Sequence, residues 1–203
     1  MNGSLAVACL MFTLAAPPKG SPVATLANQS SSREQRLAAV RALATSKDPM
    51  ALESLVNQLE TRDEAIRHAA LESMKKLKAA EQLVAWVQDP KQSESNRHIA
   101  AKGLRYLRDN SSVVALSKAL KDSAASVRAE AALALAVFGA AEAETALIAA
   151  LDDSYKDVRY YAADALSGVK TASTKSALQM RLEKESDETV RFALKGALEK
   201  VSR

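Results

Sequence analysis

Apolar residues recur along this chain in short stripes with helical spacing, not in the alternation of a half-buried strand. With Arg as a marker, a large apolar residue stands seven positions on in Arg36/Leu43, Arg67/Met74, Arg97/Leu104, Arg128/Leu135, Arg159/Leu166 and Arg191/Leu198. The marker is preceded by Ile66, Val127, Val158 or Val190 in four units. Three residues after it stands Ala39, Ala70, Ala100, Ala131, Ala162 or Leu194. Positions −1, +3, +4 and +7 share one face of a 3.6-residue helix, so each Arg opens an amphipathic helix. A second stripe lies upstream in every unit after the first, as in Leu52, Leu55, Val56 and Leu59, or Leu147, Ile148 and Leu151. A period of about 31 residues holding two stripes predicts two helices per unit, joined by short turns. The turns carry oxygen acceptors suited to helix N-termini: Thr61-Arg62-Asp63, Asp152-Asp153-Ser154 and Ser186-Asp187.

One such helix pair cannot bury its stripe alone; stacked neighbours build a continuous core. The expected fold is all-α, a right-handed α-solenoid of antiparallel helix pairs with about five and a half repeats over residues 33–203. The first unit, Arg33–Ala44, shows no helix before it. The third unit departs from the pattern, with Asn96 before Arg97 and a longer turn from Asp89 to Ser95.

The strings Asp157-Val158-Arg159-Tyr160-Tyr161-Ala162-Ala163-Asp164-Ala165-Leu166 and Val127-Arg128-Ala129-Glu130-Ala131-Ala132-Leu133-Ala134-Leu135 resemble HEAT repeats of the bilin-lyase-like subtype. The resemblance spans roughly residues 33–202. It implies an armadillo-like helical array in which the helix carrying Val-Arg lines the concave side, and it says little about activity.

Composition agrees with an all-helical chain. Aromatics make up 4%, with six Gly and five Pro, too few for a β-sandwich or a Pro-rich linker. A single Cys, Cys9, excludes an internal disulfide and a Cys-based zinc site. Residues Leu5 to Ala16 form an apolar run of about 18 Å as helix, shorter than a membrane span. That run reads as the core of a secretory leader over residues 1–27, with cleavage after Ala27 at Thr25-Leu26-Ala27, followed by a polar linker over 28–32. No Lys or Arg precedes the run. The chain is expected to be exported, periplasmic or secreted, if the leader is cleaved, and cytoplasmic otherwise. The net charge is +4, and loss of Lys19 with the leader lowers it to +3, a weak basis for nucleic-acid binding.

Two sets of residues are candidates for function. The marker column Arg36, Arg67, Arg97, Arg128, Arg159 and Arg191 reads as a structural ladder bonding turn carbonyls and carboxylates, with Asp63, Asp122, Asp153, Asp157 and Asp187 near enough in sequence to be partners. The next column holds His68, His98, Tyr160 and Phe192, with Glu72, Lys102, Tyr161 and Asp164 close by. Aromatic and His residues there, on the side the resemblance makes concave, suit a protein partner; packing between adjacent helices is the competing explanation. His68 and His98 lack a third metal ligand and no His-Glu dipeptide occurs, so neither a metal nor any other cofactor is expected. Trp86, Met74 and Met180 read as core residues. No nucleophile elbow, phosphate loop or dinucleotide fingerprint is present. The favoured function is a non-enzymatic protein-binding scaffold of unknown partner and oligomeric state. The alternatives are a lyase- or chaperone-like subunit for a chromophore-bearing protein, and a nucleic-acid-binding module.

Overall fold

The computed structural model describes residues 17–138 and 141–203. The apolar run at 5–16, Cys9 included, lies outside the described residues. Among those described, twelve α-helices follow one another in pairs. The first members are α1 (Pro22–Ala27), α3 (Ala51–Asn57), α5 (Ala79–Gln88), α7 (Val113–Ala119), α9 (Glu144–Ala150) and α11 (Ala172–Lys184). The second members, each carrying a marker Arg, are α2 (Arg33–Ala42), α4 (Glu64–Lys76), α6 (Glu94–Leu107), α8 (Ala125–Phe138), α10 (Lys156–Leu166) and α12 (Glu188–Val201). The second members pack side by side as one layer, most closely from α6 through α8 and α10 to α12. No described helix is long and apolar enough to cross a membrane.

The first unit is a full pair, not the half-unit expected. Residues 22–27, assigned to a leader from sequence, form α1 and pack on α2 and α3. Ser21 caps α1 by accepting from the Ala24 amide, and Ser31 Oγ donates to the Thr25 carbonyl. Val23 and Leu26 are buried at 3% and 9% exposure. The helix is six residues long and holds a Pro, so its stripe has too few positions to register as a period. The polar stretch Asn28 to Ser32 becomes the turn, ending in a capping box of Ser32 with Gln35.

The spacing rule explains the core. The +7 residues Leu43, Met74, Leu104, Leu135 and Leu166 are fully buried between layers. At +4, where α6, α8 and α10 carry Ala101, Ala132 and Ala163 with no exposed surface, α12 carries exposed Lys195. Met74 lies in the core as expected and Trp86 is half-buried against it. Met180 does not: it sits on α11 at 54% exposure, off the face that this helix buries through Thr174, Ala177 and Leu178.

A seam divides the array between the second and third units, where α4 and α6 barely touch and α6 leans on α3 and α5 instead. Gly103 permits this. A Cβ there would lie 2.7 Å from Leu83 Cδ1 and 3.1 Å from Val56 Cγ2, inside normal contact distance. Lys102 closes the seam with an ion pair of 2.8 Å to Glu60.

Candidate protein-binding surface

The second-layer helices are held in register by their marker arginines. Each turn entering α4, α8, α10 and α12 has, six residues before the marker, Thr61, Asp122, Asp153 or Glu185. The carbonyl of that residue accepts from the marker of its own unit: Arg67 to Thr61, Arg128 to Asp122, Arg159 to Asp153 and Arg191 to Glu185. Its side chain also accepts the amide two residues on, at Asp63, Ala124, Tyr155 and Asp187. Where it is a carboxylate, it takes in addition a two-pronged grip from the marker of the preceding unit. Arg97 binds Asp122 at 2.7 and 2.8 Å, Arg128 binds Asp153 at 2.6 and 3.0 Å, and Arg159 binds Glu185 at 2.7 and 2.9 Å. Only a guanidinium supplies that fork plus a further N–H for the turn carbonyl.

Charge states follow from this geometry. Hydrogen bonding from Arg159, with further help from the Asp187 amide and Arg181, holds the Glu185 carboxyl down at about 2. Burial pushes Asp122 and Asp153 upward, but the Arg97 and Arg128 forks outweigh it and both fall below the usual carboxylate range. Of the acids picked out from sequence, Asp122 and Asp153 take the marker arginines. Asp63 pairs with Arg33 and caps α4, Asp187 caps α12, and Asp157 is exposed. In the last turn the acceptor is Glu185, not Asp187, and its spacing of six residues before Arg191 marks it in the sequence.

The outward face of the second layer carries the other candidates. His68 is exposed on α4, in an open cleft of about 760 Å³ bordered by Arg33, Arg41, Glu72 and Lys76. Glu72 accepts from Lys75 at 2.9 Å. His98 is half-buried, its Nδ1 3.3 Å from the Ser126 carbonyl. Lys102 is occupied at the seam. Tyr160 and Tyr161 meet edge to face with ring centres 5.3 Å apart, Asp164 is exposed, and Phe192 stands out at 77% exposure. The structure adds residues that sequence alone did not single out. Arg105 on α6 pairs with buried Glu130 on α8 at 2.7 Å and lies over the Tyr106 ring. Burial, with Asp157 and Glu130 nearby, raises the Tyr161 phenol above its ordinary value. Leu133 and Val137 lie half-buried and exposed on α8, which is apolar around most of its circumference. Among the described residues, no three His, Cys, Asp or Glu side chains are grouped to hold a metal ion.

Paired helices, a marker Arg in each second helix and a repeat period carried by turn chemistry define a class, and the comparisons agree. The profile for HEAT repeats matches residues 21–105, 80–159 and 113–199. The chain belongs to the HEAT-repeat family. No curated protein matches it by sequence. Among solved structures, it is similar to human deoxyhypusine hydroxylase in complex with glycerol (20% identity, 89% of this chain and 72% of that one, TM-score 0.53). It is equally similar to a designed armadillo repeat protein in complex with the peptide (KR)4 (22% identity, 89% and 98% covered, TM-score 0.53). A computationally designed armadillo protein for modular peptide recognition aligns over 88% of this chain and 98% of its own (22% identity, TM-score 0.53). At such identities the likeness is one of fold.

Proposed function

We propose that this chain is a non-catalytic scaffold that binds a protein partner on the outward face of its second helical layer, and that it works after export. The observation that carries the reading is Phe192, 77% exposed beside the Tyr160–Tyr161 pair on a surface that is otherwise regularly folded. An exposed aromatic beside half-buried ones is the make-up of a protein-binding hot spot. A designed armadillo relative in fold holds a peptide, which supports the same use of the architecture. Asp122, Asp153 and Glu185, the carboxylates held charged by the marker arginines, are engaged in the ladder, a structural role.

Export rests on the apolar run at 5–16. Cleavage after Ala27 would strip Val23 and Leu26 from the first unit, so the mature chain is proposed to begin upstream of Pro22. The test is cross-linking of the tagged full-length chain in its native cells, with fractionation and N-terminal mass analysis. The reading expects a protein partner outside the cytoplasm that is lost from a folded Tyr160→Ala/Phe192→Ala variant. Nucleic acid as the captured species, or a partner indifferent to both substitutions, contradicts it.

A further inference from the structure

The outward face of the second layer has two chemistries. On α2, α4 and α6 its outward positions hold Arg41, Lys75, Lys76, Lys102 and Arg105, against Glu72 as the acid of the same rows. Arg41 and Lys76 are exposed, and neither forms an ion pair within 4.0 Å among the described residues. On α8, α10 and α12 the equivalent rows hold Leu133, Val137, Tyr160, Tyr161 and Phe192, with Asp164, Glu199 and Lys200 as their exposed charges. Basic residues thus gather on the first half of this face and apolar ones on the second.

We propose that the segment seated here is a linear stretch of a partner protein carrying acidic residues at one end and a bulky apolar anchor at the other. This rests on the scaffold reading above and adds the partner's chemistry and polarity. The acids lie over α2 to α6, where Arg41 and Lys76 attract them; Asp164 repels them from the far half. The anchor lies over Tyr160 and Phe192, each just after the marker on adjacent α10 and α12, where aromatic contact with the partner gives most of the affinity. Adjacent second-layer helices are about 10 Å apart at packing distance. Three to five helix steps separate Arg41 and Lys76 from Tyr160 and Phe192, so at about 3.3 Å per extended residue the acids and the anchor are about nine to fifteen residues apart.

The test is selection of a displayed random peptide library on the full-length chain, with peptides of about sixteen residues, enough to span the layer. Enriched peptides are expected to carry Asp or Glu clusters and, about nine to fifteen positions away, Leu, Phe or Trp. A labelled enriched peptide is then titrated by fluorescence anisotropy at two salt concentrations. Phe192→Ala, at an exposed site, is expected to weaken it about tenfold with its salt dependence intact. Arg41→Glu with Lys76→Glu is expected to weaken it by a similar factor and flatten the salt dependence. No enrichment, enrichment of basic peptides such as (Lys-Arg)4, or binding indifferent to both variants overturns the proposal. So does DNA displacing the peptide without regard to Phe192. A native partner captured on this face through a basic or uncharged segment overturns this inference and leaves the scaffold reading standing. Peptide binding with no native protein partner does the reverse.

Discussion

The turns that face Arg128 and Arg36 occupy the same place in the repeat and differ in the residue offered to the arginine. Arg128 grips Asp153 with both prongs and gives its remaining N–H to the carbonyls of Asp122 and Ser123. The ladder interval from Arg97 to Asp122 and from Arg128 to Asp153 is 25 residues. At that interval from Arg36 stands Thr61, and from Arg67 stands Gln92. The Thr61 hydroxyl still caps its turn by accepting from the Asp63 amide, but it has no second oxygen for the arginine. Arg36 turns instead to Gln58, at 2.9 Å, and its Nε is buried without a partner. Gln92 accepts from Asn96, leaving Arg67 with the Thr61 carbonyl. One half of the array is clamped between units by buried ion pairs. The other lacks them, and the seam at Gly103 falls at their boundary. Local repeat identity sets the helices, while the residue six before the marker sets how firmly units are joined.

The largest effect is expected from Glu185→Ala, which strips a carboxylate from both Arg159 and Arg181. Removing one partner of a buried pair costs about 3–5 kcal/mol, read as a shift in the denaturant midpoint. A cost near zero would reduce the ladder to ornament. Leu135→Ala, in the middle of the clamped half, costs about 2–5 kcal/mol through its cavity. Unchanged thermal unfolding in that variant would contradict the register of the repeat.

Acid sharpens the same contrast. The Glu185 carboxyl lies at about 2 when folded against an ordinary 4.5. Its contribution is therefore fully present above the unfolded value and is lost as pH falls through the folded one. Thermal melts from pH 5 to 2 are expected to fall less steeply for Glu185→Gln than for the unaltered chain; equal slopes would place the acid sensitivity elsewhere. The smallest change is a repair. Thr61→Asp keeps the turn cap and offers Arg36 the oxygens that Arg128 finds on Asp153. A gain of about 1 kcal/mol is expected, and a loss would show that Arg36 cannot swing from Gln58.

Much of this was legible in the sequence because it is local. The marker Arg, the +3 Ala and the +7 Leu are fixed by one helix and its neighbour, and all second helices were found from them. What escaped depends on partners far along the chain. The six-residue α1 was hidden because its two buried residues, Val23 and Leu26, look like part of an apolar leader. Met180 looks like core from its residue type, but it lies off the face that α11 buries through Thr174, Ala177 and Leu178. Of the candidate surface, Tyr160, Tyr161 and Phe192 were visible from their column. The Arg105–Glu130 pair was not, since it crosses between α6 and α8 at different heights of the repeat.

The most direct test of the two-half account is amide hydrogen exchange of the intact chain, read helix by helix under native conditions. The ladder predicts that the amides of α8 and α10 exchange slowest, near the global unfolding limit, and that α2 and α4 open by a separate, lower-energy route. Uniform protection across α2, α4, α8 and α10, or faster exchange in α8 and α10, would contradict the claim that the carboxylate at the turn decides how firmly the repeats are joined.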